Sequence, residues 1–307
     1  MASIVVCAGN AEMRQNAIIH RISDNLGMPK PRTITRPPNT PVGDDRRFTP
    51  TVQRPVRVRS RTMPVDTHFE PHQHAWAQLA YCTTGVLQLT VAQQPVGHIT
   101  YIVPPSRAVW VAPGALHAIN VLETAAFRTL YIDPGVVPAG WRGSRVMVVS
   151  SLMRELIQAL DAPVDMPLAA TREQLLTTLL LDEITHATTQ ALGVPMPSPH
   201  HGDKRLRALC EAVLRAPGDR ATLADWAADI GASERTVARL FRTELHTSYQ
   251  QWRQQAVLAH ALPLLARGTP ISQVAAATGY ASDSAFSAMF KTAMGQPPSH
   301  FMHKNEA

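Results

Sequence analysis

Three cysteines in 307 residues, Cys7, Cys82 and Cys210, are too scattered for a disulfide framework or a zinc knuckle. No apolar run approaches the roughly eighteen residues that a membrane-crossing helix needs. The first residues also lack the basic-then-apolar order of a secretory leader. A cytoplasmic chain with no membrane partner is expected. An excess of one charge is missing from most of the chain as well. The formal net charge of +6 comes entirely from residues 1–60, which hold ten Lys/Arg against four Asp/Glu, and the remainder is neutral. The basic balance is therefore no argument for nucleic acid as a partner, which has to be argued from local clusters. Hydrophobic residues, by contrast, make up 45% of the chain, enough for packed cores in two domains of ordinary size.

Residues 1–60 combine a helical-looking patch around Met13 to Leu26 with a Pro- and Arg-rich run from Pro29 to Pro64. Such composition buries too little surface to order itself, so a flexible extension is expected. Three readings stay open: a plain tail, an arm that binds DNA non-specifically, or a start codon placed too early, with Met63 opening a shorter product.

The last third contains a segment that occurs twice. From Leu223 the string LADWAADIGASERTVARLFRTEL is echoed from Ile271 as ISQVAAATGYASDSAFSAMFKTAM, with one residue inserted after the glycine of the second copy. In each copy a short helix rich in small residues (Ala224, Ala227, Ala228; Ala275, Ala276, Ala277) lets a second helix cross closely. Gly231 and Gly279 supply the sharp connection. Ser233 and Ser282 stand where an N-cap is needed, since a side-chain oxygen satisfies orphan N–H groups of the second helix. Val237, Leu240 and Phe241 recur as Phe286, Met289 and Phe290, an i, i+3, i+4 stripe to bury. Tyr249 and Trp252 are echoed by Pro298 and Phe301, so the period of about fifty residues covers the whole unit. That is a tandem helix-turn-helix.

Off the apolar stripe, the second helix of the first copy presents Glu234, Arg235, Thr236, Ala238, Arg239 and Arg242, with Ser233 at its head. An arginine holds O6 and N7 of guanine bidentately, so Arg235 and Arg239 are the leading base readers. The second copy offers Ser282, Asp283, Ser284 and Ser287, with Lys291 further along as a phosphate contact. The alternative for the arginines is plain solvation or pairing with Glu234.

Residues from about Lys204 to Phe301 resemble the C-terminal DNA-binding domain of the AraC/XylS family of transcription regulators. GYASDSAFSAMFKTAMGQPPSHF matches that family's second helix-turn-helix, and QQWRQQAVLAHALPLLARG its joining helix. The resemblance implies a seven-helix domain that sets two recognition helices in successive turns of the major groove, with double-stranded operator DNA as partner. Pro263 within the joining helix is expected to kink it or to start a new turn.

Between about Val56 and Val149 the pattern changes to short apolar runs broken by turn residues. WAQLAYCTTGVLQLTV, HITYIVPPSRAVWVAP, HAINVLE and AFRTLYI read as strands in hairpin succession, which suggests a small barrel or jelly roll. Its chemistry lies in Pro71-His72-Gln73-His74, Gln78, Gly85, Pro113-Gly114 and His117. These residues resemble the cupin motifs, HxH followed by Glu and Gly and later a His after a Pro/Gly turn, except that Gln78 stands where metal-binding members carry Glu. On one strand His72 and His74 share a face, and Gln78 joins them if no bulge intervenes. With His117 from a neighbouring strand, three imidazoles and an amide would converge. Three His suit Zn, Fe, Ni or Mn, but an amide is a poorer ligand than a carboxylate. Hydrogen bonding within the barrel and contact with a small-molecule effector are the other readings, and no cofactor is required by the sequence. Trp76, Tyr81, Trp110 and Tyr131 are candidates for an aromatic pocket wall or for core. HAWAQLAYCTTGVLQLTV with VPPSRAVWVAPGALHAI is further similar to the cupin half of a subgroup of AraC-type regulators that includes the repressor of a nitroimidazole exporter, which suggests control of an adjacent transporter gene.

Residues 150–202 contain two amphipathic runs, one striped by Leu152, Leu156 and Leu160 and one by Leu175, Leu179 and Ile184. They face either their own barrel or, as in the resembling family, a second copy in a homodimer. GVPMPSPHHGD reads as a flexible Pro-rich linker. The expected fold class is α+β in two domains. An extension of residues 1–60 leads into a cupin-like barrel over 61–149, helices and linker over 150–202, and an all-α tandem helix-turn-helix domain over 203–303. The expected function is an effector-responsive, sequence-specific transcription regulator, repressor or activator, with no catalytic residue. Two rivals remain: a metal-dependent cupin enzyme fused to a DNA-binding domain, and an effector-independent DNA-binding protein whose barrel only dimerises.

Overall fold

The computed structural model describes residues 48–302, except 94–96, 164, 191, 199–200 and 220–221. The flexible extension expected over residues 1–47 and its helical patch around Met13 to Leu26 lie outside the described residues. Two compact units emerge: residues 48–93 with 101–193, and residues 97–100 with 194–302.

The first unit is a two-sheet jelly roll. Its strands are β1 (Val56–Met63), β2 (His68–His72), β3 (Ala77–Cys82), β4 (Val86–Gln93), the second half of β5 (Gly97–Val103), β6 (Arg107–Val111), β7 (His117–Glu123), β8 (Ala125–Ile132), β9 (Arg145–Val148) and β10 (Thr189–Gln190). One sheet runs β1-β8-β3-β6-β9-β10, and in the other β5, β4, β7 and β2 are neighbours in that order. The expected hairpin succession holds only for β4 and β5. β3 and β4, β6 and β7, and β7 and β8 follow one another in the chain yet lie in different sheets. Period-two alternation marks a strand but does not say which sheet it joins. Between β3 and β4 the backbone turns at Gly85 with φ +79°, and a Cβ there would stand 2.3 Å from the Thr124 carbonyl oxygen. Only glycine fits that position.

The barrel starts earlier than residue 61. β1 pairs with β8 from Val56 opposite Ile132 to Met63 opposite Ala125, and Met63 is buried. A product beginning at Met63 would lose this strand, so the shorter-product reading costs an entire ladder.

The outer side of the first sheet carries Val56, Leu79, Tyr81, Trp110, Leu130, Ile132 and Met147, which form one core with Met153, Leu156 and Ile157 of α1 (Ser151–Leu160) and Leu180 and Ile184 of α2 (Ala170–His186). Each such side chain contributes about 1.5–3 kcal/mol on burial. Glu173 of α2 also binds Arg54 at 2.8 Å and Arg57 at 3.5 Å. The helices therefore pack on their own barrel, along part of each expected stripe: Leu156, Leu160 and Ile184 join that core. Leu152, Leu175 and Leu179 are more than half exposed, at 52%, 64% and 52%. The seams run through Met153, Leu156 and Ile157 and through Thr177, Leu180 and Ile184.

The second unit consists of α3 (Lys204–Arg215), α4 (Leu223–Asp229), α5 (Glu234–Glu244), α6 (Tyr249–Ala266), α7 (Ile271–Ala277), α8 (Asp283–Met294) and a closing 3-10 turn at Pro298–Phe301. The run expected as a linker contains a strand instead. β11 (Val194–Met196) pairs with the first half of β5, and Trp252 Nε1 of α6 donates to the Pro195 carbonyl at 2.7 Å. The two copies repeat in three dimensions. Gly231 and Gly279 both take φ above +60°, at +63° and +77°. At Gly279 a Cβ would also meet Gly218 Cα at 2.9 Å. Ser233 accepts from Thr236 N–H and Ser282 from Ala285 N–H, each at 3.2 Å. Phe241 packs on Trp252 as Phe290 packs on Phe301, with centroids 5.5 and 5.2 Å apart. Of the small residues only Ala227 and Ala275 are buried at the crossings, while Ala224, Ala228, Ala276 and Ala277 are exposed. α6 runs through Pro263 as one helix, with no second start at the proline. Among the described residues no helix is long and apolar enough to cross a membrane.

Candidate functional site

The exposed face of the recognition helices is built by default. Once Val237, Leu240 and Phe241 are buried, helical periodicity turns Arg235, Arg239 and Arg242 outward, and all three are exposed. Among the described residues neither Arg235 nor Arg239 pairs with Glu234. Ser233 caps the helix as expected, and Thr236 joins it there. Their hydroxyls lie 2.9 Å apart within the cap, and Ala238 is half-buried. On α8, Ser282 caps the helix, Asp283, Ser284 and Lys291 are exposed, and Ser287 is half-buried.

The barrel site is assembled from both sheets. His72 ends β2 and His117 begins β7, opposite each other in register, with a bulge between Phe69 and His72. Gln78 belongs to β3, in the other sheet, and His74 lies in the turn between. The expected single strand carrying HxH and Gln is thus wrong, although the residues meet. The chain crosses from one sheet to the other at 73–76, and Gly114 N–H donates to the His74 carbonyl at 2.9 Å, which joins the two motif loops. The ring centroids of His72 and His117 are 4.3 Å apart, and those of His74 and His117 are 5.1 Å apart. One ligand nitrogen from each of the three lies within 4.8 Å of the others, and no Asp or Glu belongs to the group among the described residues.

Hydrogen-bond inventory fixes how these rings are used. Nδ1 of His72, His74 and His117 faces the carbonyl of Glu70, Trp76 and Ala115 at 2.8, 2.7 and 2.8 Å. A carbonyl can only accept, so each Nδ1 carries a proton, and in its neutral form each ring offers the lone pair of Nε2. Gln78 Oε1 lies 3.0 Å from His74 Nε2 and 2.9 Å from His117 Nε2, and its Nε2 donates to Thr129 Oγ1 at 2.8 Å. His72 Nε2 is buried with no partner. Burial, reinforced at His117 by the neighbouring His72, holds the pKa of His117 well below the usual range, and burial lowers that of His72 too. Neutral rings and an inward amide oxygen are acceptors facing acceptors. Two arrangements relieve this: a cation among them, or the amide turned over so that its NH2 donates to both rings. Nδ1 pinned by a carbonyl and a ligand amide pinned by a hydroxyl are what a metal ion asks of its supporting groups. The donor set fits a divalent transition ion, which His72, His74, His117 and Gln78 Oε1 would hold. Bound, such an ion supplies a Lewis-acidic anchor for a ligand atom.

Beside the cluster, Trp76 stacks on His74 at 5.1 Å and 8°, and Tyr131 stands edge-on to both, 5.8 Å from each. Tyr81 and Trp110 instead belong to the core shared with α1 and α2. Thr129 was missed from sequence. Its only signal is a hydroxyl within the apolar run AFRTLYI, and its role depends on the β3–β8 register.

A barrel with an enclosed polar cluster and a tandem helix-turn-helix define a two-domain ligand-binding transcription regulator. Residues 54–188 match the model of the AraC-like ligand binding domain and residues 226–304 that of a helix-turn-helix domain. The chain is 32% identical over 231 residues, 75% of its length and 81% of the relative's, to the HTH-type transcriptional regulator NimR of Escherichia coli K12. It therefore belongs to the AraC family of DNA-binding transcription regulators and is not an enzyme. It is also 32% identical over 107 residues, 35% of this chain and 31% of the relative, to the HTH-type transcriptional regulator RipA of Corynebacterium glutamicum. A solved structure of ToxT from Vibrio cholerae matches with a TM-score of 0.32 and 11% identity over 80% of this chain and 97% of that one.

Proposed function

We propose that this chain reads a specific operator through α5 and α8, and that a small molecule in the barrel, held against His72, His74, Gln78 and His117, sets its affinity for that operator. The observation that carries the reading is the row Arg235, Arg239 and Arg242, exposed on a helix whose cap and buried stripe fix which side faces out. In this account Arg235 and Arg239 contact base edges, Asp283, Ser284 and Ser287 line the second groove, and Lys291 and the cap at Ser282 meet phosphate. The hydroxyls of Ser233 and Thr236 close the first cap, and backbone N–H groups at that end face phosphate. The functional divisions are a barrel unit reaching through α2 and a DNA-reading unit over 203–303. The exposed Leu152, Leu175 and Leu179 serve a homodimer contact, since apolar side chains on an outer helix face favour a second surface. Similarity to the exporter-repressor subgroup supports a neighbouring transporter gene as target.

Selection of bound sequences from random duplex DNA with purified protein tests the reading. Paired half-sites, each with contacts about one helical turn apart, are expected. Unenriched DNA, with and without small molecules that raise the melting temperature, overturns it. The effector shifts DNA affinity only by as much as it discriminates between the two arrangements of the regulator.

A further inference from the structure

As ligands, three imidazoles and an amide contribute no charge, and this is the feature of the barrel site that points beyond a generic effector. A divalent ion placed on them keeps its full +2 in an enclosed site, where Gln78 is 1% and His117 0% exposed. Burying uncompensated charge is among the costliest things a protein does. Where a carboxylate stands at the position of Gln78 the protein itself supplies half of the compensation; here nothing in the group does. Glu70 does not fill the role, because its carboxylate is turned to His68 Nε2 at 3.5 Å. A second unsatisfied group lies beside the cluster: the indole N–H of Trp76, which stacks on His74, is buried with no acceptor. A charge lacking its counter-ion and a donor lacking its acceptor are both answered by one occupant, a small anion with two acceptor atoms.

We propose that the regulatory ligand is a small carboxylate bound together with a divalent transition-metal ion on His72, His74, His117 and Gln78. One carboxylate oxygen completes the coordination of the ion, and the other accepts from Trp76 Nε1. The aromatic faces of Trp76 and Tyr131 accommodate the carbon body of the ligand. Gln78 is the residue that makes the site dependent on the anion, and Thr129 positions it by accepting from its NH2, which directs the amide oxygen inward. The inference rests on the barrel being the sensor, but it is tested without DNA, so failure of operator selection leaves it standing and its own failure leaves operator reading intact.

The test uses the full chain stripped with chelator and titrated with Co(II), whose visible absorption reports its ligands, then with benzoate and, as the neutral isostere, benzamide. Expected are one Co(II) per chain, a spectral change with benzoate and none with benzamide, and a rise in melting temperature larger for metal and benzoate together than for the two added separately. Gln78→Glu supplies the missing charge from the protein, so Co(II) should bind roughly tenfold or more tighter and benzoate roughly tenfold or more weaker than in the parent. That reciprocal exchange is not produced by a merely structural glutamine. His72→Gln, at a half-buried position that tolerates an amide, should lower Co(II) affinity by roughly tenfold or more with the fold intact by circular dichroism. The proposal is overturned if the folded parent binds no stoichiometric Co(II), if bound Co(II) ignores benzoate, or if Gln78→Glu changes both affinities in the same direction.

Discussion

In the barrel, His72, His74, Gln78 and His117 come from two sheets and a turn, and they are brought together only when those sheets close. In the helical unit, Arg235, Arg239 and Arg242 follow one another on a single helix and need only its periodicity. The first arrangement encloses polar groups, so each one must be satisfied or it costs about 1–3 kcal/mol. The second leaves its groups in water, where an unpaired arginine costs nothing and is free to meet a base or a phosphate. Sensing suits the enclosed site because a ligand has to replace what the protein withholds. Reading suits the exposed one because a helix face can be changed residue by residue without disturbing the core behind it.

The comparison breaks most visibly if the two units are not independent. Phe290→Ala removes a ring buried against Phe286 and Phe301 and should cost about 3–5 kcal/mol. DNA binding should fall with the helical unit, followed by its Trp226 and Trp252 fluorescence, while Co(II) binding in the barrel persists. Loss of both together would refute the division.

Acid gives the next largest effect. His98 of β5 is buried in the helical unit, and that burial, with Arg207 nearby, pushes its pKa down to about 4. The unfolded chain takes up that proton near pH 6.5 and the folded chain only near 4. Stability is therefore full above about pH 6.5 and declines between 6.5 and 4, by up to about 3 kcal/mol. Urea denaturation at pH 7 and pH 4.5 should show the loss, and His98→Gln should shrink it. His72 and His117 shift in the same direction, so the barrel is weakened by acid as well.

Arg239→Ala sharpens the comparison from the reading side. It should cost about 1–3 kcal/mol on the selected operator and relax specificity at one base pair, with the barrel's melting unchanged. Lys291→Ala has the smallest expected effect, a uniform weakening on all DNA and a salt slope lower by about one.

The two regions also differed in how far sequence alone reached. The tandem repeat was legible because the helix cap, the glycine turn and the apolar stripe are local, and Ser233, Gly231, Val237 and their counterparts stand at fixed offsets. The barrel's residues were legible as a list but not as a geometry. Alternation places His72 and Gln78 on one strand because it does not reveal that the chain changes sheets between them. Thr129 was invisible because its contact with Gln78 depends on register across β3 and β8. Each helix stripe holds only in part for a related reason: in a run such as EQLLTTLLLDEI, leucines lie on more than one face, and which ones bury depends on the sheet beneath. The linker reading failed at Val194–Met196 because prolines are tolerated in a short edge strand.

The most direct test of the central claim measures affinity for the selected operator and for random duplex across a range of salt, with the parent chain and Arg239→Ala. The variant should lose roughly tenfold or more on the operator and little on random DNA, with nearly the same salt slope. Equal losses on both, or no preference for operator in the parent, would contradict it.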